Sequence, residues 1–171
     1  MVPARLLPQF GTTARDMFEI RHAQFPQDER AVLSIWREFV ASPSVSLDFQ
    51  GYEEEFANLP GKYGAPGGCL LLAFMDRTLV GCVGFRNVDR AICEMKRLYV
   101  RPAARGHGLG RLLAERITEE ARSAGYAEVR LDVLAEFEAA RRIYRDMGFV
   151  SAEPVSHNPL PETAFLGLRL D

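Results

Sequence analysis

The segment Val100-Arg-Pro-Ala-Ala-Arg-Gly-His-Gly-Leu-Gly-Arg111 is the part of the chain best equipped for chemistry. Gly106, Gly108 and Gly110 let the backbone turn so that successive N–H groups converge. The helix predicted to begin near Gly108 adds the positive end of its dipole. Convergent amides at a helix start are a phosphate site. The segment is not a Walker A sequence, because no Gly-Lys-Ser/Thr follows, so nucleoside triphosphate hydrolysis has little support. The dinucleotide fingerprint G-x-G-x-x-G follows its strand directly, whereas here G-x-G-x-G stands five residues beyond Val100. On glycines alone, a plain strand-to-helix turn explains the segment as well as a ligand site does.

The other reactive side chains narrow the chemistry. Cys69, Cys82 and Cys93 each lie inside an apolar run with no C-x-x-C pair, which favours reduced, packed thiols over zinc or redox work. No metal is expected. His107 titrates near neutrality, but its position in the glycine loop favours surface exposure over acid-base work. A formal net charge of -2 argues against a domain built to neutralise nucleic-acid phosphates. The amino terminus lacks the apolar run of a signal peptide, and no later run approaches the ~18 residues of a bilayer span. A cytoplasmic location without membrane or nucleic-acid partners is the expectation, and a homodimer is compatible with it.

Around the loop, the pattern predicts one domain over residues 17–171, preceded by an extension over residues 1–16 that carries two prolines and no periodicity. A short strand is expected from Met17 to Arg21. A helix follows, opened by Asp28 and Glu29, with Val32, Ile35, Trp36, Phe39 and Val40 on one face, ending near Ser42-Pro43. A second helical piece around Tyr52 to Leu59 leads into a glycine- and proline-rich loop. Strands at Cys69 to Met75, Leu79 to Val88 and Ala91 to Val100 are joined by short turns and so are antiparallel. Leu109, Leu112, Leu113, Ile117 and Ala121 then recur at helical spacing up to Gly125, and Ala127 to Leu134 alternates as a strand. A strand, helix and strand in this order make a right-handed parallel crossover. A last helix carries Ala139, Ala140, Ile143, Tyr144 and Met147 and closes at Gly148. Residues Phe149 to Glu153 and Thr163 to Leu170 supply two final strands.

Arg105-x-x-Gly108-x-Gly110 resembles the R/Q-x-x-G-x-G/A signature of GNAT acetyltransferases, and it follows a strand, Cys93-Glu-Met-Lys-Arg-Leu-Tyr-Val100, as it does in that family. Downstream, Ala140-x-x-x-Tyr144-x-x-x-Gly148-Phe149 is similar to the family's second coenzyme segment. The resemblance spans Met17 to Leu170 and is strongest from Glu94 to Phe149. It implies an α/β fold with a mixed, largely antiparallel sheet, helices on both faces, and two central parallel strands splayed around acetyl-coenzyme A. By the same resemblance, the backbone of Leu98, Tyr99 and Val100 pairs with the pantetheine arm. The amides of Arg105, Gly106, His107, Gly108, Leu109 and Gly110 hold the pyrophosphate. Many members carry an asparagine where this chain has Phe137, which suits apolar packing instead.

Acetyl transfer to an amine needs the free base, yet an ammonium with a pKa near 10 is only about one part in a thousand neutral at pH 7. Glu94, placed where related enzymes often carry their base, is the candidate to take that proton. The alternative is an ion pair with Lys96, two residues along the same face. Tyr144 resembles the tyrosine that protonates the leaving thiolate, or it is a core aromatic with a wet hydroxyl. Arg101 and Arg105 are placed to meet phosphate oxygens, Arg141 and Arg142 read as a solvated helix face, and His157 lies in a connection that approaches the acceptor site in this family. Asp48, Glu53, Glu54 and Glu55 either attract a cationic amine or form a polar helix face. The sequence thus points to N-acetyl transfer onto a small-molecule amine by direct attack. Cys93, on the far side of its strand from Glu94, speaks against an acetyl-cysteine route. A catalytically silent acyl-coenzyme A-binding regulator and a dinucleotide-dependent oxidoreductase are the alternatives.

Overall fold

The computed structural model of the chain describes residues 13–171, so most of the expected leading extension lies outside the described residues. Seven strands form one sheet: β1 (Glu19–His22), β2 (Cys69–Met75), β3 (Thr78–Asn87), β4 (Ile92–Val100), β5 (Glu128–Val133), β6 (Val150–Ser151) and β7 (Ala164–Arg169). They lie in the order β1-β2-β3-β4-β5-β7-β6, every neighbouring pair antiparallel except β4 and β5. Five helices accompany them: α1 (Ala14–Met17), α2 (Glu29–Ala41), α3 (Tyr52–Ala57), α4 (Leu109–Ser123) and α5 (Glu138–Met147). Among the described residues no helix is long and apolar enough to cross a membrane.

The unbroken apolar run of β2 follows from its position between two layers, which removes the need for a polar face. Because strand side chains alternate, Leu70 and Leu72 join Val32, Ile35, Trp36 and Phe56 of α2 and α3 on one side of the sheet. Leu71 and Ala73 join Leu109, Leu113, Ile117 and Ala121 of α4 on the other, with Cys93 and Met95 of β4. The three cysteines are buried and unpaired to one another. Burial pushes the thiols of Cys82 and Cys93 up to about 12, as it does that of Cys69, and so keeps them protonated.

The one parallel contact is short. β4 and β5 pair only from Ile92 with Glu128 to Glu94 with Arg130, after which the strands part. On its other edge β4 carries an extra residue: Cys82 faces Tyr99, yet Gly84 faces Lys96, so three steps on β4 match two on β3. Arg97 sits at this bulge with φ at 63°, in the left-handed region. A bulge bends its strand, and this bend accounts for the divergence of β4 from β5.

Most boundaries fall within one or two residues of the sequence pattern, and the first strand and the strand after α5 depart from it furthest. The first strand begins at Glu19, because Met17 closes the short helix α1. The strand expected over Phe149 to Glu153 shrinks to Val150–Ser151. It pairs with β7 alone, with Val150 mostly exposed, and Pro154 beyond it has no N–H to extend the ladder.

Gly68, just before β2, is the tightest backbone contact on the α2–α3 side: a Cβ there would stand 2.1 Å from the Lys62 carbonyl oxygen and 2.5 Å from Tyr63 Cα. Those neighbours are backbone and cannot rotate away. Gly68→Ala is therefore expected to destabilise the protein by about 1–3 kcal/mol, as overpacking does elsewhere. Urea unfolding measures it, and a wild-type midpoint would show that the loop yields freely.

Candidate functional site

Where β4 and β5 part, a narrow cleft of about 50 Å³ opens between them, floored by the start of α5. Its apolar wall includes Leu98, Val133, Phe137 and Tyr144, and its polar wall Gln50, Lys96, Arg97, Asp132 and Asn158. A larger groove of about 980 Å³ runs along the outer face of α4 and contains none of the candidate catalytic or coenzyme-binding residues read from the sequence.

The glycine loop leaves the end of β4 through a short 3-10 turn at Pro102–Ala104 and enters α4 at Leu109. Gly106 and Gly108 take φ values of 83° and 80°, which non-glycine residues rarely adopt. No side chain caps α4, and among the described residues the backbone N–H groups from Gly106 to Arg111 have no acceptor. Six successive donors thus stand without a partner next to the positive end of a helix. A Cβ at Gly106 would meet nothing within 4 Å, so the loop has room for a large anion. A Cβ at Gly110 would meet the terminal methyl of Ile143 at 3.1 Å, so α4 and α5 approach closely there. The open amides can thus hold a phosphate or similar anion. Arg105 folds back, its Nε donating to the Val100 carbonyl at 2.9 Å. Arg101 does not face this loop's donors: it is tied to Glu38, to the Leu79 carbonyl and to Ser34, which pins β4 to α2. His107 is exposed.

Tyr144 is buried, 5% exposed, on the floor of the cleft, with its ring against Phe149 at 5.3 Å. Burial, and then the nearby Asp132, raise its pKa, so the phenol keeps its proton. Phe137 packs near Phe39 at 6.1 Å, the apolar role its position suggested. Arg141 departs from the expected solvated face: it donates to the carbonyls of Leu134, Val133 and Glu162, stitching α5 to the end of β5.

Glu94 is 1% exposed, and its partners are not Lys96, the alternative the sequence offered, but Arg86 and Ser156. Arg86, directly opposite on β3, binds it at 3.0 Å through Nε and 2.9 Å through Nη2, while Ser156 Oγ donates to Oε2 at 2.6 Å. Arg86 also pairs with Glu55, and Glu55 accepts from Arg97 Nη2 at 2.7 Å. Of the acidic run on α3, Glu55 alone is drawn into this network, while Glu53 and Glu54 are exposed. Arg97 is stacked in an aromatic cage, its guanidinium carbon 4.9 Å from the Trp36 ring and 5.6 Å from the Phe56 ring. Buried side-chain atoms without a partner gather here: Trp36 Nε1, Gln50 Oε1, and Nε and Nη1 of Arg97. Lys96 is 8% exposed, and burial lowers its pKa against the pull of Glu94 and Asp132. His157 is exposed, near Phe49. Arg86, Ser156 and Asp132 were not singled out by the sequence pattern. Arg86 had one signal there, a charge following the apolar run of β3, whereas Asp132 belongs to the ordinary alternation of β5 and Ser156 to a connection with no pattern.

Burial raises the pKa of Glu55, but Arg97 and Arg86 outweigh it and hold the carboxyl below its usual range. A folded value below the unfolded one means that the stabilisation is present above the unfolded pKa of about 4.3 and is lost as pH falls through the folded value. Glu55→Gln should be less stable than wild type at pH 7, with the gap closing as pH drops below about 4. Urea unfolding at pH 7, 4 and 3 measures this; a gap that stays constant would show that the Glu55 charge contributes nothing.

The description "Acetyltransferase (GNAT) family" fits residues 17–149 of the chain. An uncharacterized N-acetyltransferase of Schizosaccharomyces pombe is 37% identical over 153 residues, covering 88% of this chain and 94% of that protein. Among solved structures, a GNAT acetyltransferase of Staphylococcus aureus superposes with a TM-score of 0.73 at 20% identity, over 90% of this chain and 99% of that one. YncA of Salmonella typhimurium, a putative acetyltransferase solved with acetyl-CoA, superposes with a TM-score of 0.65 at 25% identity, over 91% and 95%. With its parted strands and open amide loop, this chain belongs to the GNAT family of acetyltransferases.

Proposed function

We propose that the protein transfers an acetyl group from acetyl-coenzyme A to the amine of a small molecule, by direct attack within a ternary complex. The observation that carries this reading is the row of unpaired amides from Gly106 to Arg111, standing just past the end of β4 where β4 and β5 have parted. In this reading those amides hold the pyrophosphate, without that of Arg105, whose N–H is donated to the Pro102 carbonyl at 3.3 Å. The free edge of β4 at Leu98, Tyr99 and Val100 supplies backbone partners for the pantetheine arm. Acetyl-coenzyme A supplies the activated acyl group, and the protein's own residues manage the protons.

Tyr144 suits the acid role because its phenol stays protonated in the cleft. It donates to the departing sulfur, whose conjugate thiol has a pKa of about 8.5 and so needs modest help. Glu94 takes the acceptor's proton through Ser156, because both carboxylate oxygens are already engaged and Ser156 Oγ is the half-buried group bound to one of them. The hydroxyl accepts the amine's proton as it passes its own to Oε2. The ion pair with Arg86 orients the carboxylate.

A thiol-release assay over an amine panel, with mass-spectrometric detection of the acetylated product, separates this enzyme from a silent acyl-coenzyme A-binding regulator. Release without an acetylated amine, or no release at all, would overturn the transfer reading. Tyr144→Phe is expected to lower turnover by about 10- to 100-fold. A wild-type rate with every acceptor from pH 6 to 9 would assign Tyr144 to packing alone. Glu94→Gln should leave acetyl-coenzyme A affinity nearly unchanged and cut turnover at pH 7 by about 100-fold or more. That loss should shrink toward the amine's own pKa, where solution supplies the free base, and Ser156→Ala should follow the same profile. A loss of stability with a wild-type pH profile per folded molecule would reduce Glu94 to an anchor for Arg86.

A further inference from the structure

Lys96 and Arg97 are adjacent cations on the wall of the cleft, and neither has a part in the proton transfers above. Among the described residues Lys96 has no hydrogen bond or ion pair, although it is 8% exposed. Arg97 commits Nη2 to Glu55 and leaves Nε and Nη1 buried without partners. Neighbouring carboxylates are already engaged: Glu94 by Arg86 and Ser156, Glu55 by Arg86 and Arg97, and Asp132 by Asn158 at 2.8 Å. Burying a cation with its donors unmatched is costly, and an apolar side chain of similar length would avoid that cost. Local rules broken in this way mark places where a ligand completes the bonding.

We propose that the acceptor carries a carboxylate beside its amine, and that Lys96 Nζ and the free edge of Arg97 hold that carboxylate. The substrate class is then amino acids or compact amino-carboxylic acids; this rests on the acetyltransferase reading. Charge balance agrees with it. Glu55, Glu94 and Asp132 face Arg86, Lys96 and Arg97, so the wall is neutral, and a zwitterion adds no net charge. Gln50 Oε1, also unpartnered and on the cleft wall, offers an acceptor to the ammonium end. The cage of Trp36 and Phe56 fixes the guanidinium plane, so Arg97 meets a carboxylate with little reorganisation.

The test compares each of glycine, alanine, β-alanine, aspartate and glutamate with its amide and its decarboxylated amine. One arm measures thiol release with acetyl-coenzyme A, and the other measures binding of the same compounds to the coenzyme A-loaded protein by calorimetry. At least one acid should exceed its amide by about 30-fold or more in kcat/KM, chiefly through KM. The amide's amine is the less basic, with a pKa near 8, so it has more free base at neutral pH and the preference would run against intrinsic reactivity. Lys96→Met and Arg97→Met should reduce the preference to less than about 3-fold, whereas Lys96→Arg should retain much of it. If nothing turns over but the acids still bind selectively, the carboxylate site stands and the transfer reading falls. Amides or plain amines matching the acids in both arms, no binding in either arm, or a preference that survives in folded Lys96→Met and Arg97→Met variants, would overturn the proposal. Should those variants fail to fold, the wild-type panel decides it.

Discussion

The parting of β4 from β5 is the constraint on which the rest of this molecule depends. Two parallel strands paired along their length would leave no cleft, and the glycine loop would have nothing to serve. Here the ladder stops at Glu94, and an extra residue at Arg97 bends the strand immediately afterwards. A left-handed backbone at a non-glycine residue costs roughly 1–2 kcal/mol, and it persists because the side chain is over-determined by Glu55 and the rings of Trp36 and Phe56. The same side chain thus fixes the bulge and lines the cleft, so α2 and α3 are coupled to the site through Arg97.

The charges around the cleft form a chain rather than separate pairs. Ser156 leads to Glu94, Glu94 to Arg86, Arg86 to Glu55, and Glu55 to Arg97. Each carboxylate in that chain touches at least one guanidinium, which is how buried charge is kept ionised. Removing one member strands its neighbour in a low dielectric, so losses along the chain should be strongly non-additive. Lys96 stands beside this chain without joining it.

Elements whose identity is set by local pattern were readable before folding. β2 falls on Cys69–Met75 as the apolar run implied, α4 follows its helical stripe, and the crossover from β4 to β5 is parallel. The glycine loop was readable because positive φ selects glycine, and two of its three glycines adopt it. Partners across strands were not. Lys96 stood as the alternative partner of Glu94 because alternation puts both on one face, but Arg86 lies directly opposite in the register, which turn geometry sets. The bulge was equally hidden: strict alternation would put Arg97 on the face opposite Lys96, whereas the extra residue returns it to the side of Trp36 and Glu55. Arg101 and Arg141, as cations near a phosphate loop and on a helix face, carried no sign that backbone carbonyls would claim them.

In the proposed function, the open amides past β4 and the gap between β4 and β5 form one binding surface for acetyl-coenzyme A. Backbone amide NMR shifts followed during titration of the full chain with acetyl-coenzyme A test it most directly. The largest changes are expected from Gly106 to Arg111, with a second group at Leu98, Tyr99 and Val100 and at the start of α5. Changes concentrated instead on the groove along α4, around Arg116, Glu119 and Arg122, or saturable binding that leaves the Gly106 to Arg111 amides unmoved, would contradict it.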